Sequence, residues 1–123
     1  MTAETVVVHF YTLRDAAAFE RAVRLLVARV RLTAHPGVRS FRFLGAGPGE
    51  RRLVAIYEGS EAWTSHHGLI MTWPEMVSLQ AAARLARVDL LGPLTPPMQA
   101  WIERVGLSGK LRHLGGALAW AGR

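Results

Sequence analysis

Two stretches of the chain, VVVHFY at residues 6–11 and LVAIY at residues 53–57, are apolar almost without interruption. Both are rich in β-branched and aromatic side chains and read as strands. A strand with one wet face alternates apolar and polar residues. These two do not alternate, so both faces of the sheet they build require cover. The sequence holds only enough helix for one face. A second copy of the same sheet is the economical cover for the other, and a homodimer is expected.

The remaining elements follow from periodicity and punctuation. Residues 5–12 form the first strand. Residues 13–34 then turn helical, with Phe19, Val23, Leu26 and Val30 on one stripe and Asp15 available as N-cap. The His35-Pro36-Gly37 turn ends that helix. VRSFRFLG (38–45) is a second strand, AGPGE a hairpin turn, and RRLVAIYEG (51–59) a third strand. Ser60 is placed to cap a short helix, and Thr72 with Glu75 has capping-box spacing before a second, which EMVSLQAAARLA (75–86) continues. RVDLLGPL (87–94) reads as a fourth strand. Thr95 and two prolines open a last helix whose stripe is Met98, Trp101, Ile102 and Val105, stopped by Gly106. Residues 107–123 carry no assignable period.

The order β-α-β-β-α-β plus a C-terminal helix is the ferredoxin-like arrangement, an α+β fold with an antiparallel sheet and helices on one face. Residues 1–95 form that domain, and residues 96–123 a C-terminal helix and tail.

Charge and composition narrow the function. The net charge is +6, yet Arg21, Arg24 and Arg31 recur on one side of a helix as a solvated face, and no nucleic-acid signature accompanies them. No nucleic-acid partner is expected. There is no cysteine, no apolar run of membrane-spanning length, and no signal-peptide pattern at the start, so the expectation is a cytoplasmic protein without membrane contact.

YEGSEAWTSHHG (57–68) concentrates the chemistry. In a helix starting at Ser60, Trp63 shares a face with His66 and His67, and Tyr57 at the strand end lies close by. The group is either core packing or a proton-handling pocket, in which an imidazole serves as base or hydrogen-bond partner. His9, inside the first strand on the side of Val7 and Tyr11, is either a second pocket group or a core histidine with a partner. Arg42, between Phe41 and Phe43, either faces solvent or holds a phenolate. Adjacent histidines diverge by about 100° on a helix, so His66 and His67 do not share a metal ion. Neither metal nor organic cofactor is expected.

HPGVRSFRFL, LVAIYEGSEAWTSHHG and VDLLGPLTP, in this order, resemble the antibiotic biosynthesis monooxygenase family of dimeric α+β barrels. The resemblance covers about residues 4–95. It implies a dimeric barrel and an enzyme without cofactor that oxidises an aromatic polyketide-type phenol, anthrone or quinol to a quinone. Polyketide cyclases of the same fold, and a non-catalytic ligand-binding or accessory role, are the alternatives. In oxygenases of this family an asparagine and a tryptophan stand four residues apart on the third strand, with an aromatic on the next helix. Tyr57 matches the tryptophan and Trp63 the helix aromatic, whereas Leu53 replaces the asparagine. The family's acidic-Ala-x-x-x-His pattern maps onto Glu61, Ala62 and His66. The candidate catalytic set is His66, His67 and His9, with Tyr57, Trp63, Arg42, Tyr11 and Trp73 as candidates at the substrate.

Overall fold

The computed structural model describes residues 4–33 and 35–115. Strands β1 (Thr5–Leu13), β2 (Val38–Gly45), β3 (Glu50–Tyr57), β4 (Ala83–Leu91) and β5 (Leu111–His113) form one open sheet in the order β2-β3-β1-β4-β5. The first four pair antiparallel in the ferredoxin-like order. β5 lies parallel to β4, which makes the sheet mixed. Helices α1 (Ala16–Thr33), α2 (Ser60–Ile70), α3 (Pro74–Ala82) and α4 (Pro96–Arg104) complete the α+β fold.

α1 forms where its stripe dictates. Phe19, Ala22, Val23, Leu26 and Val30 are buried, and the Asp15 carboxylate accepts the Ala18 N–H at 3.0 Å. α3 ends four residues earlier than its alanine-rich sequence predicts, and β4 is displaced accordingly. Backbone pairing of Leu13 with Ala83 and Tyr11 with Leu85 overrides helix propensity there, and the Ala82 carbonyl accepts from both Arg14 and Asp15. β4 stops at Leu91 because Gly92 turns to φ +125 and Pro93 has no N–H to donate.

The capping expectations also need correction. α2 begins after Gly59 with no side-chain cap, so Ser60 is the first helical residue. α3 begins after Trp73, and Thr72 instead donates to the Leu69 carbonyl while Glu75 pairs with Arg29 at 3.0 Å. Thr95 does cap α4, accepting from the Met98 N–H. Val105, expected on the α4 stripe, is 40 % exposed because the helix ends at Arg104 and Gly106 turns at φ +78.

Along β1, Thr5, Val7, His9 and Tyr11 are buried toward the helices, while Val6, Val8 and Phe10 on the other face are half-buried. Val54, Ile56 and Leu91 share that outer face by register. Two guanidiniums cover Phe10, Arg52 at 4.3 Å and Arg87 at 4.0 Å from the ring centroid. Asp89 is buried beside them and is neutralised by Arg87 and by Arg112 of β5, each at 2.9 Å. No helix among the described residues is long and apolar enough to cross a membrane.

Candidate functional site

α2 is the element that concentrates polar chemistry in the interior. Its buried residues Trp63, His66, His67 and Ile70 follow i, i+3, i+4, i+7 spacing, so one face carries an indole and two imidazoles under the sheet. The Pro36-Gly37 turn packs directly against this helix. A Cβ on Gly37 would collide with the Ala62 side chain, and the Gly37 carbonyl accepts the Glu58 N–H at 2.9 Å. This close approach sets His35 against His66, their ring centroids 5.4 Å apart and edge to face.

His66 is the centre of one cluster. Its Nδ1 lies 3.3 Å from the Tyr57 hydroxyl, and the Phe41 ring stands edge to face at 5.4 Å. Its Nε2 is buried with no hydrogen-bond partner among the described residues. Burial, then the neighbouring His35 and His67, lowers the His66 pKa to about 4. Burial, and secondarily Tyr11, raises that of Tyr57, so the phenol stays protonated. Either group can donate in this pair; with the phenol donating to Nδ1, the His66 proton would sit on Nε2. In that tautomer His66 presents an unused N–H.

His67 belongs to a second cluster. Its ring meets Trp101 of α4 at 5.0 Å and 90°, and Trp101 in turn packs on Trp63 at 5.0 Å. α4 is thus fixed on α2 of its own chain. His9 lies 6.2 Å from His67 between ring centroids, with its Nδ1 3.5 Å from the Tyr11 hydroxyl. Burial lowers the His67 pKa to about 4; burial and then His67 lower that of His9 to about 3. Nδ1 of His67, Nε1 of Trp63 and Oγ1 of Thr5 are buried without partners, as is the His66 Nε2. Buried polar groups of this kind ordinarily hold a partner, so their density makes this layer the candidate site. Among the described residues no group of three His, Asp or Glu side chains is arranged to hold a metal ion.

The structure thus brings His9, Tyr11, Tyr57, Trp63, His66 and His67 into one layer beneath the sheet. It does not bring Arg42 or Trp73 there. Arg42 is exposed on β2, and Trp73 is buried under the Arg29 guanidinium, 4.4 Å from its ring. Open space lies to one side of the layer. A cleft of about 270 Å³ between α1 and β2 is lined by residues that include His35, Val38 and Phe41. His35 and Phe41 are two of the three rings packed on His66, so the cleft ends at its shielding wall. Sequence reasoning treated His35 only as part of a turn. The sign that could have found it is the register Val38↔Tyr57, which sets the turn beside the Tyr57–His66 pair.

No family model matches the sequence, and no curated protein is similar to it. Solved structures are. MupZ from Pseudomonas fluorescens superposes with a TM-score of 0.75 over 99 % of this chain and 91 % of its own, at 13 % identity. SnoaB, a cofactor-independent oxygenase from Streptomyces nogalater, gives 0.59 over 78 % of this chain and 99 % of its own, at 18 % identity. A candidate antibiotic biosynthesis monooxygenase from Caulobacter crescentus gives 0.61 over 76 % and 92 %, also at 18 % identity. The fold is that of the antibiotic biosynthesis monooxygenases. The match to MupZ spans nearly the whole chain, so α4 and β5 fall inside it.

Proposed function

We propose that the chain is a homodimeric, cofactor-independent monooxygenase that oxidises an aromatic phenol, anthrone or quinol of polyketide type to a quinone. The observation that carries this reading is the buried, unpartnered Nε2 of His66, held in the interior by Tyr57 directly behind the cleft wall of His35 and Phe41. An anthrone or phenol that loses a proton can pass an electron to dioxygen itself. Dioxygen then supplies one oxygen atom to the ring carbonyl, and the second leaves as water with two hydrogens of the substrate. The protein must hold the flat substrate, stabilise its oxyanion and keep water out.

In this reading the substrate enters at His35 and Phe41 and displaces one of these rings to reach His66. The His66 N–H donates to the developing phenolate oxygen. His67, whose Nδ1 is also buried and unpaired, accepts the proton; His9 lies behind it, and Trp63 and Tyr57 wall the ring. The polar contact that family oxygenases draw from an asparagine is absent at Leu53, and the His66 N–H on α2 takes its place. The half-buried outer face of the sheet, with Val8, Val54 and Ile56, receives the second subunit.

Oxygen uptake by the purified protein with a panel of anthrones and hydroquinones tests the reading. Turnover that is lost in His66→Ala and His67→Ala supports it. Conversion of a polyketide without oxygen consumption assigns a cyclase instead, and tight binding without conversion assigns an accessory ligand-binding role.

A further inference from the structure

Helix α1 is apolar on two opposite sides. Its core stripe is Phe19, Val23, Leu26 and Val30, and a helix of this kind ordinarily turns polar residues to solvent. Here the solvent side carries Leu25, Ala28 and Leu32, whose i, i+3, i+7 spacing aligns them in one row about 10 Å long. Leu32 is 86 % and Leu25 63 % exposed, the two most exposed large apolar side chains among the described residues. Arg21 continues the row toward the start of the helix. Arg24 and Arg31 flank it on the side of β2, and Arg29 flanks it on the side of α3, where it pairs with Glu75. Residues 21–33 contain no acidic side chain. Arginines without an ion pair among the described residues occur elsewhere too, at Arg14, Arg84 and Arg104. What distinguishes α1 is the exposed apolar row that its arginines enclose.

In the geometry of a two-helix seam, Leu25 and Leu32 take one of the two central positions, Arg21 and Ala28 take the other, and Arg24, Arg29 and Arg31 form the flanks. Ala28 leaves a hole between the leucines that a facing apolar side chain can fill. The flanking guanidiniums call for carboxylates opposite them. We propose that this face of α1 docks an acidic amphipathic helix of a partner protein. That helix carries apolar residues one heptad apart, with Asp or Glu toward Arg24 and Arg31. A second copy of α1 does not meet this requirement. In a parallel pair its Arg29 would face Arg24 and Arg31, and in an antiparallel pair each arginine flank would face its own duplicate. A membrane surface fits poorly, since the row has no aromatic side chain to anchor it and little area to insert. The face lies on the outside of α1, away from the layer around His66, so this inference goes beyond the oxygenase reading and does not depend on it.

Fluorescence anisotropy of the full chain with a fluorescein-labelled three-heptad peptide tests this. The peptide carries leucine and alanine at the central positions and glutamate at the flanks; its counterpart carries glutamine at the flanks. The glutamate peptide is expected to bind at least about tenfold more tightly at low salt, and the preference to shrink at high salt. Leu25→Ser and Leu32→Ser are each expected to weaken binding about fivefold or more and to leave the melting temperature unchanged, because both side chains already face water. Arg31→Gln is expected to weaken the glutamate peptide alone. Arg104→Gln, an exposed position on α4, controls for the long-range pull of a +6 chain and is expected to have little effect. Equal binding of the two peptides overturns the proposal, as does binding that both serine variants retain, or an equal loss in Arg31→Gln and Arg104→Gln. Vesicles of pure phosphatidylglycerol that bind the native chain more tightly than the peptide does, and release it in the serine variants, assign the face to a membrane and overturn it as well.

Discussion

The Tyr57 hydroxyl lies 3.3 Å from Nδ1 of His66, and both side chains are buried. The direction of this hydrogen bond decides which imidazole nitrogen carries the proton, and with it whether His66 donates or accepts at Nε2. Long-range proton–nitrogen spectra are expected to show His66 as the Nε2–H form in the native protein and as a mixture in Tyr57→Phe. On the proposed substrates Tyr57→Phe is expected to lose about tenfold or more in kcat. A native protein with the proton on Nδ1 would remove His66 as the oxyanion donor.

Acid is expected to destabilise this protein well before carboxylates titrate. His9, His66 and His67 are held at about 3, 4 and 4, against an ordinary imidazole value of 6.5. Below 6.5 the unfolded chain takes up protons that the folded chain refuses. The stability is therefore fully present above 6.5 and is lost as pH falls toward 4, at a rate on the order of 1 kcal/mol per pH unit for each histidine. Urea midpoints at pH 7.5, 6 and 5 measure this. An unchanged midpoint over that interval would mean that the imidazoles are not buried as described.

Gly37→Ala is expected to destabilise by about 1–3 kcal/mol, since the added methyl meets Ala62 across a packed contact. The same change should push the His35 turn away from α2. Ring-current shifts of His66 report that displacement, while Gly45→Ala, with open space around its Cα, serves as the neutral comparison. Similar melting temperatures for the two variants would contradict the close approach.

The outer face of the sheet gives the prediction about assembly. Sedimentation is expected to find a dimer for the native chain and a monomer for Val54→Glu, whose new carboxylate would lie on the half-buried face. Retained secondary structure in the variant separates a lost interface from lost folding. A native chain that sediments as a monomer at high concentration would remove the dimer.

Much of this architecture is written in local patterns. Phe19, Val23, Leu26 and Val30 repeat at helical spacing, and all are buried. The alternation at Thr5, Val7, His9 and Tyr11 places both His9 and Tyr11 on the helix side of β1. What escaped the sequence is set by contacts between distant segments. AAARLA has strong helix formers throughout, yet β1 takes its latter half into the sheet. LRH is too short to show a period, and its place as β5 depends on pairing with β4 and on Arg112 reaching Asp89. The site was legible in the same uneven way. Trp63, His66 and His67 share a face because of their spacing alone, whereas His35 joins them only through the approach of Gly37 to Ala62.

The three-residue β5 has a protective consequence. By lying along β4 it hides a row of backbone donors and acceptors that would otherwise invite foreign strands to add on, and it brings Arg112 to the sunken Asp89. Cutting the chain after residue 105 would strip both at once, turning a three-residue edge into a longer, sticky one beside an under-compensated negative charge. Leu111–His113 thus guard the fold against self-association at its β4 side.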